Sequence, residues 1–288
     1  MQQVINGLSI GSVYALIALG YSLVFGVMRM INLAHCDIMM VGAYVGYICA
    51  VYLNMGLLLS VIWAVVICSV LGICIEKFAF RPLRDVTGMP IMVVAIGVSL
   101  LLEYVCMFIF GADVKVYPPS YLSGIVSFSD VVVPFSRIAV LIVSVGLMIV
   151  LQIILSKTMA GKAMRAVADD DFAATLCGVD EKSTTRLAFG MGSALAAVAG
   201  VFYGAMYIIS PLMGTMPGIK AFVAAVVGGI GSVSGAVLGG FSLGMAETFA
   251  GTFLHSSFKD VASFLILIAV LLFRPGGIIG SKSGKSRL

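Results

Sequence analysis

Three stretches of this chain, Met89 to Leu102, Ile138 to Leu151 and Val261 to Phe273, contain no Asp, Glu, Lys or Arg, and several others come close. Extended by their apolar flanks, such runs approach the roughly 20 residues that carry a helix through a bilayer core about 30 Å thick. The composition agrees. Of 288 residues, 61% are hydrophobic and 10% charged, with a mean hydropathy of +1.16, whereas ordinary soluble domains carry about 25% charged residues. The chain reads as an all-α, polytopic transmembrane helical bundle with no sizeable aqueous domain left over.

About eight hydrophobic segments are expected, at roughly 6–28, 37–54, 57–75, 89–110, 137–156, 187–209, 219–250 and 259–273. A cleavable signal peptide needs a basic leading region. Met1 to Ser9 has none, and Leu8 to Val27 runs on as an apolar span, so the first segment is expected to stay as a helix. Ile219 to Ala250 is too long for one simple crossing and carries Gly228, Gly229, Gly231, Gly235, Gly239, Gly240 and Gly244. It is predicted to break near Gly229–Gly235 into two pieces, one of them re-entrant, because interrupted membrane helices line cavities. The whole, residues 1–288, is expected to form one integral-membrane domain.

Short cytoplasmic loops accumulate Lys and Arg. Glu76 to Asp85 holds Lys77, Arg81 and Arg84; Lys157 to Arg186 holds Lys157, Lys162, Arg165, Lys182 and Arg186; the tail holds Arg274, Lys282, Lys285 and Arg287. With Arg29, this puts 13 of the 17 basic residues inside and leaves Lys115, Arg137, Lys220 and Lys259 outside. The N-terminus then faces outward. The scheme closes only if Ile219 to Ala250 begins and ends on the outer side.

Cys49, Cys68, Cys74 and Cys106 fall in apolar segments, and Cys36 and Cys177 are expected near the cytoplasmic side, so all six cysteines read as packing residues. Without a CxxC pair and with only His35 and His255, no metal site is expected. Gly7 with Gly11, Gly42 with Gly46, and Gly192 with Ala196 and Gly200 give small faces at helical spacing, which let membrane helices approach closely.

The longest basic connection, Lys157 to Arg186, offers an imperfect apolar stripe through Ala163, Met164, Val167, Ala168, Phe172 and Leu176. A short surface helix or pair of helices is expected, with Asp169, Asp170 or Asp171 capping the second and Gly178 ending it. Its length and mixed charge suit either a solvated connector or a docking surface for a soluble partner. Elsewhere the polar residues have two readings. Asp37 either caps the second helix or joins Asn32 and His35 in a polar hinge or permeation route; Glu103 and Glu247 either find neighbouring partners or face a transport path.

The segment GLSIGSVYALIALGYSLVFGVMRMINLAHCDIMMVGAY, with Asn32, Ala34, His35, Asp37, Gly42, Ala43 and Tyr44 in matching places, resembles the strongest signature of a known family. That family comprises the inner-membrane permeases of bacterial high-affinity branched-chain amino acid ABC importers, here the shorter, H-type member of the pair. Cys36 stands where the family has glycine. AGKAMRAVADDDFAATLCGVDEKSTTRLAFGMGSALAAVAGVFYG is similar to its ATPase-coupling loop and the following helix, through Arg165, Ala166, Leu176 and Gly178, with Asp171 where proline is common. GIKAFVAAVVGGIGSVSGAVLGGFSLGMAE supplies a third match, including Lys220 and Glu247.

The resemblance implies alternating access. A binding protein outside the cytoplasm delivers leucine, isoleucine or valine, two homologous permeases enclose the route, and two cytoplasmic ATPase subunits use ATP and Mg. Arg165, Ala166, Asp169, Leu176 and Gly178 would couple to the ATPase, while Asn32, His35, Asp37, Glu103 and Glu247 are candidates for the transport path or hinge. The chain itself is expected to bind no cofactor, to contact the phospholipid bilayer and no nucleic acid, and to hydrolyse nothing. GSKSGKS, from Gly280 to Ser286, only superficially resembles a phosphate loop, since it follows no strand and opens no helix. Urea or short-amide permeases share the architecture, and an ATPase-independent channel or secondary transporter is the alternative of a different class.

Overall fold

Apolar composition without charge leaves each backbone only its own helix for hydrogen bonding, and the chain obeys this nearly throughout. A computed structural model of the protein describes all residues except 1, 31, 84–85, 87–88, 119–123, 129–130, 256, 275 and 279–288. The helices are α1 (Gln2–Met28), α2 (His35–Val51), α3 (Leu57–Ile75), α4 (Met89–Phe110), α5 (Phe135–Lys157), α6 (Met159–Asp169), α7 (Asp171–Leu176), α8 (Glu181–Met206), α9 (Thr215–Gly228), α10 (Val233–Phe253) and α11 (Phe258–Phe273). The end of α3 loosens into a π turn, Glu76–Phe80, and a 3-10 turn, Arg81–Leu83.

One expectation needs correction. Among the described residues five helices, not clearly eight, are long and apolar enough to cross a membrane: α1, α3 with its trailing turns, α4, α5 and α8. Helices α2 and α9 are apolar but shorter. The expected all-α bundle is otherwise present, with one short hairpin in which β1 (Ile125–Phe128) pairs antiparallel with β2 (Val131–Pro134) between α4 and α5. The proposed phosphate-loop mimic and the basic tail residues Lys282, Lys285 and Arg287 lie outside the described residues, as does Arg84.

The expected break in the glycine block falls at residues 229–232. Gly229, which ends α9, has φ +107 and Gly231 φ +86, conformations that a Cβ would strain. Ser232 then caps α10 by accepting from the Gly235 amide at 3.1 Å.

Small residues hold the centre together. A Cβ at Gly240 would meet Ala15, one at Gly244 would meet Gly11, and Gly7 lies against Met245. These pairs advance in opposite directions, so α10 runs antiparallel to α1 at close approach. Helix α8 seats Gly192 near Gly20, Ala197 against Gly42 and Gly200 against the Met39 carbonyl. The expected small faces are thus the contact surfaces. Large side chains such as Leu58, Met89, Phe108 and Phe273 point outward instead, giving the perimeter the apolar coat a bilayer requires.

Candidate functional site

Between α1, α2, α4 and α9 lies a cavity of about 230 Å³. Helical spacing builds its walls: Ile96, Ser99 and Glu103 from one face of α4, and Thr215, Ile219 and Phe222 from one face of α9. Tyr21, Cys36 and Asp37 complete it. The Ser99 hydroxyl donates to Asp37 Oδ2, and the Thr215 hydroxyl donates to Glu103 Oε1 at 3.3 Å. The lining is therefore mostly apolar and includes two carboxylates, which suits a small ligand with an apolar body and a cationic end.

Asp37 and Glu103, 66 positions apart in the chain by number, share this cavity. The reading of Asp37 as a helix cap is corrected: Ala34 occupies the cap position of α2 without a side-chain bond, and the Asp37 carboxylate turns across to Ser99. Cys36 packs inside the bundle, as expected of a packing residue. It is buried at the start of α2, with its sulfur 2.6 Å from the Tyr21 hydroxyl and packed on Gly218 of α9.

Asn32 and His35 sit behind the cavity. Both are almost fully buried, and Asn32 Oδ1 and Nδ2 and His35 Nε2 find no hydrogen-bond partner among the described residues. The His35 ring packs over Gly20 and beside the Tyr21 ring, 4.9 Å between centroids. Buried polar atoms left without partners are unusual and costly, and here they lie in or beside the non-helical segment joining α1 to α2.

Glu247 belongs to a different place. It receives Lys220 Nζ at 2.7 Å on Oε1 and the Tyr14 hydroxyl at 2.9 Å on Oε2, while Lys220 also contacts Asp260 at 2.7 Å. Lys220, Tyr14, Ser99 and Thr215 were not singled out as site residues from sequence. A lysine inside the apolar run GIKAFVAAVV was the available signal, since a buried cation requires an anion nearby.

The connection between α5 and α8 folds as two helices. Thr158 caps α6 and Asp170 caps α7, accepting from Gly161 and Ala173 amides at 3.2 and 2.9 Å. Asp171 is the first residue of α7, a position that also accepts proline. Gly178, at φ +86, ends the unit. Met164 and Val167 bury against the bundle, whereas Phe172 and Leu176, four residues apart, are 73% and 74% exposed. Arg165 turns back to donate to the Leu155 carbonyl; Ala166 is half-buried and Asp169 exposed. Arg29, after α1, donates to the Ala168 and Asp169 carbonyls at 3.1 and 3.2 Å, so the end of α6 is tied to the end of α1. Among the described residues, no group of three His, Cys, Asp or Glu side chains is placed to hold a metal ion.

Residues 3–271 match the family model described as branched-chain amino acid transport system / permease component. The chain is 40% identical to the high-affinity branched-chain amino acid transport system permease protein BraD of Pseudomonas aeruginosa, over 97% of this chain and 95% of that protein. It is 41% identical to the corresponding permease LivH of Escherichia coli, with the same coverage. Among solved structures, PsaBC from Streptococcus pneumoniae in complex with Fab is similar in fold, with a TM-score of 0.53 at 13% identity over 96% of this chain and 93% of that one.

Proposed function

The chain belongs to the branched-chain amino acid transport permease family, and from that premise we propose how its cavities and helices serve import. It is the permease component of an ABC importer for branched-chain amino acids, a polytopic inner-membrane protein and a transport subunit without an ATPase site of its own. In the working complex, residues 1–288 act as one membrane unit beside a second homologous permease. Two cytoplasmic ATPase subunits consume ATP and Mg, and a binding protein outside the cytoplasm delivers substrate.

Helices α9 and α10 enter from the outer side and return to it, α11 leads the basic tail inward, and α6–α7 face the cytoplasm. The antiparallel packing of α10 on α1 supports this arrangement, as does the collection of basic residues around α6–α7. Leucine, isoleucine or valine passes the cavity between α4 and α9, its side chain against Ile96, Ile219 and Phe222 and its ammonium toward Asp37 and Glu103. Asn32 and His35 act as a hinge behind it, because their unpartnered buried atoms favour a second arrangement of the α1–α2 connection.

The observation that carries the mechanism is the pair Phe172 and Leu176, exposed on an otherwise pinned two-helix unit. They form a small apolar knob fit for a cleft on the ATPase, and Arg29 passes its displacement to α1 and onward to α2. Replacing Phe172 and Leu176 with Glu should abolish co-purification of the ATPase subunits or uncouple hydrolysis from uptake. Normal association together with normal uptake would remove the assignment.

A further inference from the structure

At the end of the bundle opposite α6–α7, a second cavity of about 450 Å³ opens among the first turns of α1, the start of α5 and the ends of α8 and α10. Its size falls within the roughly 300–1,000 Å³ typical of small-molecule sites. Three cations line it: Arg137, Lys220 and Lys259. The two carboxylates nearby, Glu247 and Asp260, both converge on the Lys220 ammonium at 2.7 Å. Arg137 instead directs its guanidinium to the neutral amide of Asn6, and the Lys259 stem lies over Gly251. The cavity thus holds more positive charge than its carboxylates answer.

We infer that this cavity is the outer receiving station for the substrate's carboxylate, with Arg137 as its principal ligand and Lys259 at the rim. A guanidinium carries five donors in a fork that matches a carboxylate, and one bond to Asn6 leaves donors to spare. The Lys220–Glu247–Tyr14 network fixes the opposite wall, so the site is organised before the ligand arrives. The Tyr203 and Tyr207 rings, 4.7 Å apart, offer the aliphatic side chain an aromatic surface. Helix α9 is common to both cavities: Lys220 faces this one while Thr215, Ile219 and Phe222 face the other. A ligand seated here therefore bears on the helix that walls the inner cavity. The inference rests on the import function proposed above and adds the place and chemistry of first contact.

The test uses the complete complex of both permeases and ATPases in nanodiscs, without the binding protein, and measures equilibrium binding of radiolabelled leucine. Saturable binding is expected, displaced by isoleucine and valine and at least ten-fold less by leucinol, which lacks the carboxylate. Arg137→Ala should weaken binding ten-fold or more and Arg137→Lys less, with the ATPases still co-purifying. Equal displacement by leucinol, unchanged binding in Arg137→Ala, or absence of leucine binding in the wild type would overturn it. Retention of phosphatidylglycerol through Arg137 in place of leucine would assign the site to lipid and equally defeat the proposal. ATP-driven uptake with the binding protein present, measured on the same complex, separates failure of this site from failure of the import function.

Discussion

Helices α1 and α8 and helices α3, α4 and α5 are all apolar, yet they occupy opposite surroundings. In their most apolar 18-residue windows, 83% of α1 and 78% of α8 are buried, against 28% for the α3 region, 17% for α4 and 28% for α5. The outer three are rich in Leu, Ile, Val and Phe, while the inner two carry Gly, Ala and Ser at their contacts. In water the largest apolar side chains seek the interior. In a bilayer lipid satisfies them equally well, so close backbone approach decides which helix lies inside. The polar groups follow the same division: Lys220 and Glu247 pair, both buried, on the inner helices α9 and α10, whereas the outer surface of α4 presents Met92, Val93 and Leu101.

The comparison breaks most severely at the buried ion pair. Lys220→Met should cost about 3–5 kcal/mol by leaving the Glu247 carboxylate without its cation, measured as loss of heat resistance of the complex in detergent. Adding Glu247→Leu should restore much of it. The next largest effect is expected at the helix contacts: Gly244→Val drives a branched side chain into the Gly11 backbone and should destabilise by about 1–3 kcal/mol or more. Arg29→Ala removes two bonds to exposed carbonyls, a loss of about 1 kcal/mol. Its sharper signature is ATP hydrolysis that continues while uptake falls, and tight coupling in that variant would refute the link from α6 to α1. The smallest effect belongs to the lipid side. A Cβ at Gly146 of α5 meets nothing within 4 Å, so Gly146→Val should alter stability by less than about 0.5 kcal/mol.

Much of this division is legible in the sequence because it depends on local properties. The helical, membrane-spanning character follows from uninterrupted hydropathy, the break at Gly229–Ser232 from clustered glycines, and the α7 cap from the acidic run that includes Asp170. The sites are less legible because they depend on pairing across distance. Asp37 has a polar side chain at a helix start, which favours capping by local rules, but tertiary packing brings Ser99 within reach and the carboxylate turns there. Asp37 and Glu103 come from different helices, and Glu247 was separated from them by the position of Lys220 on the opposite face of α9. Phe172 and Leu176 continue the apolar stripe of α6, yet Asp170 interrupts the helix and its new start turns them outward.

The most direct test is uptake of radiolabelled leucine, isoleucine, valine and urea into vesicles that contain this chain with its partner permease and ATPases, supplied with the binding protein. The account predicts uptake of the three branched-chain amino acids only with ATP on the ATPase side, and none by this chain alone. ATP-driven uptake of urea without the amino acids, or amino acid flux through this chain in the absence of ATP and ATPases, would contradict it.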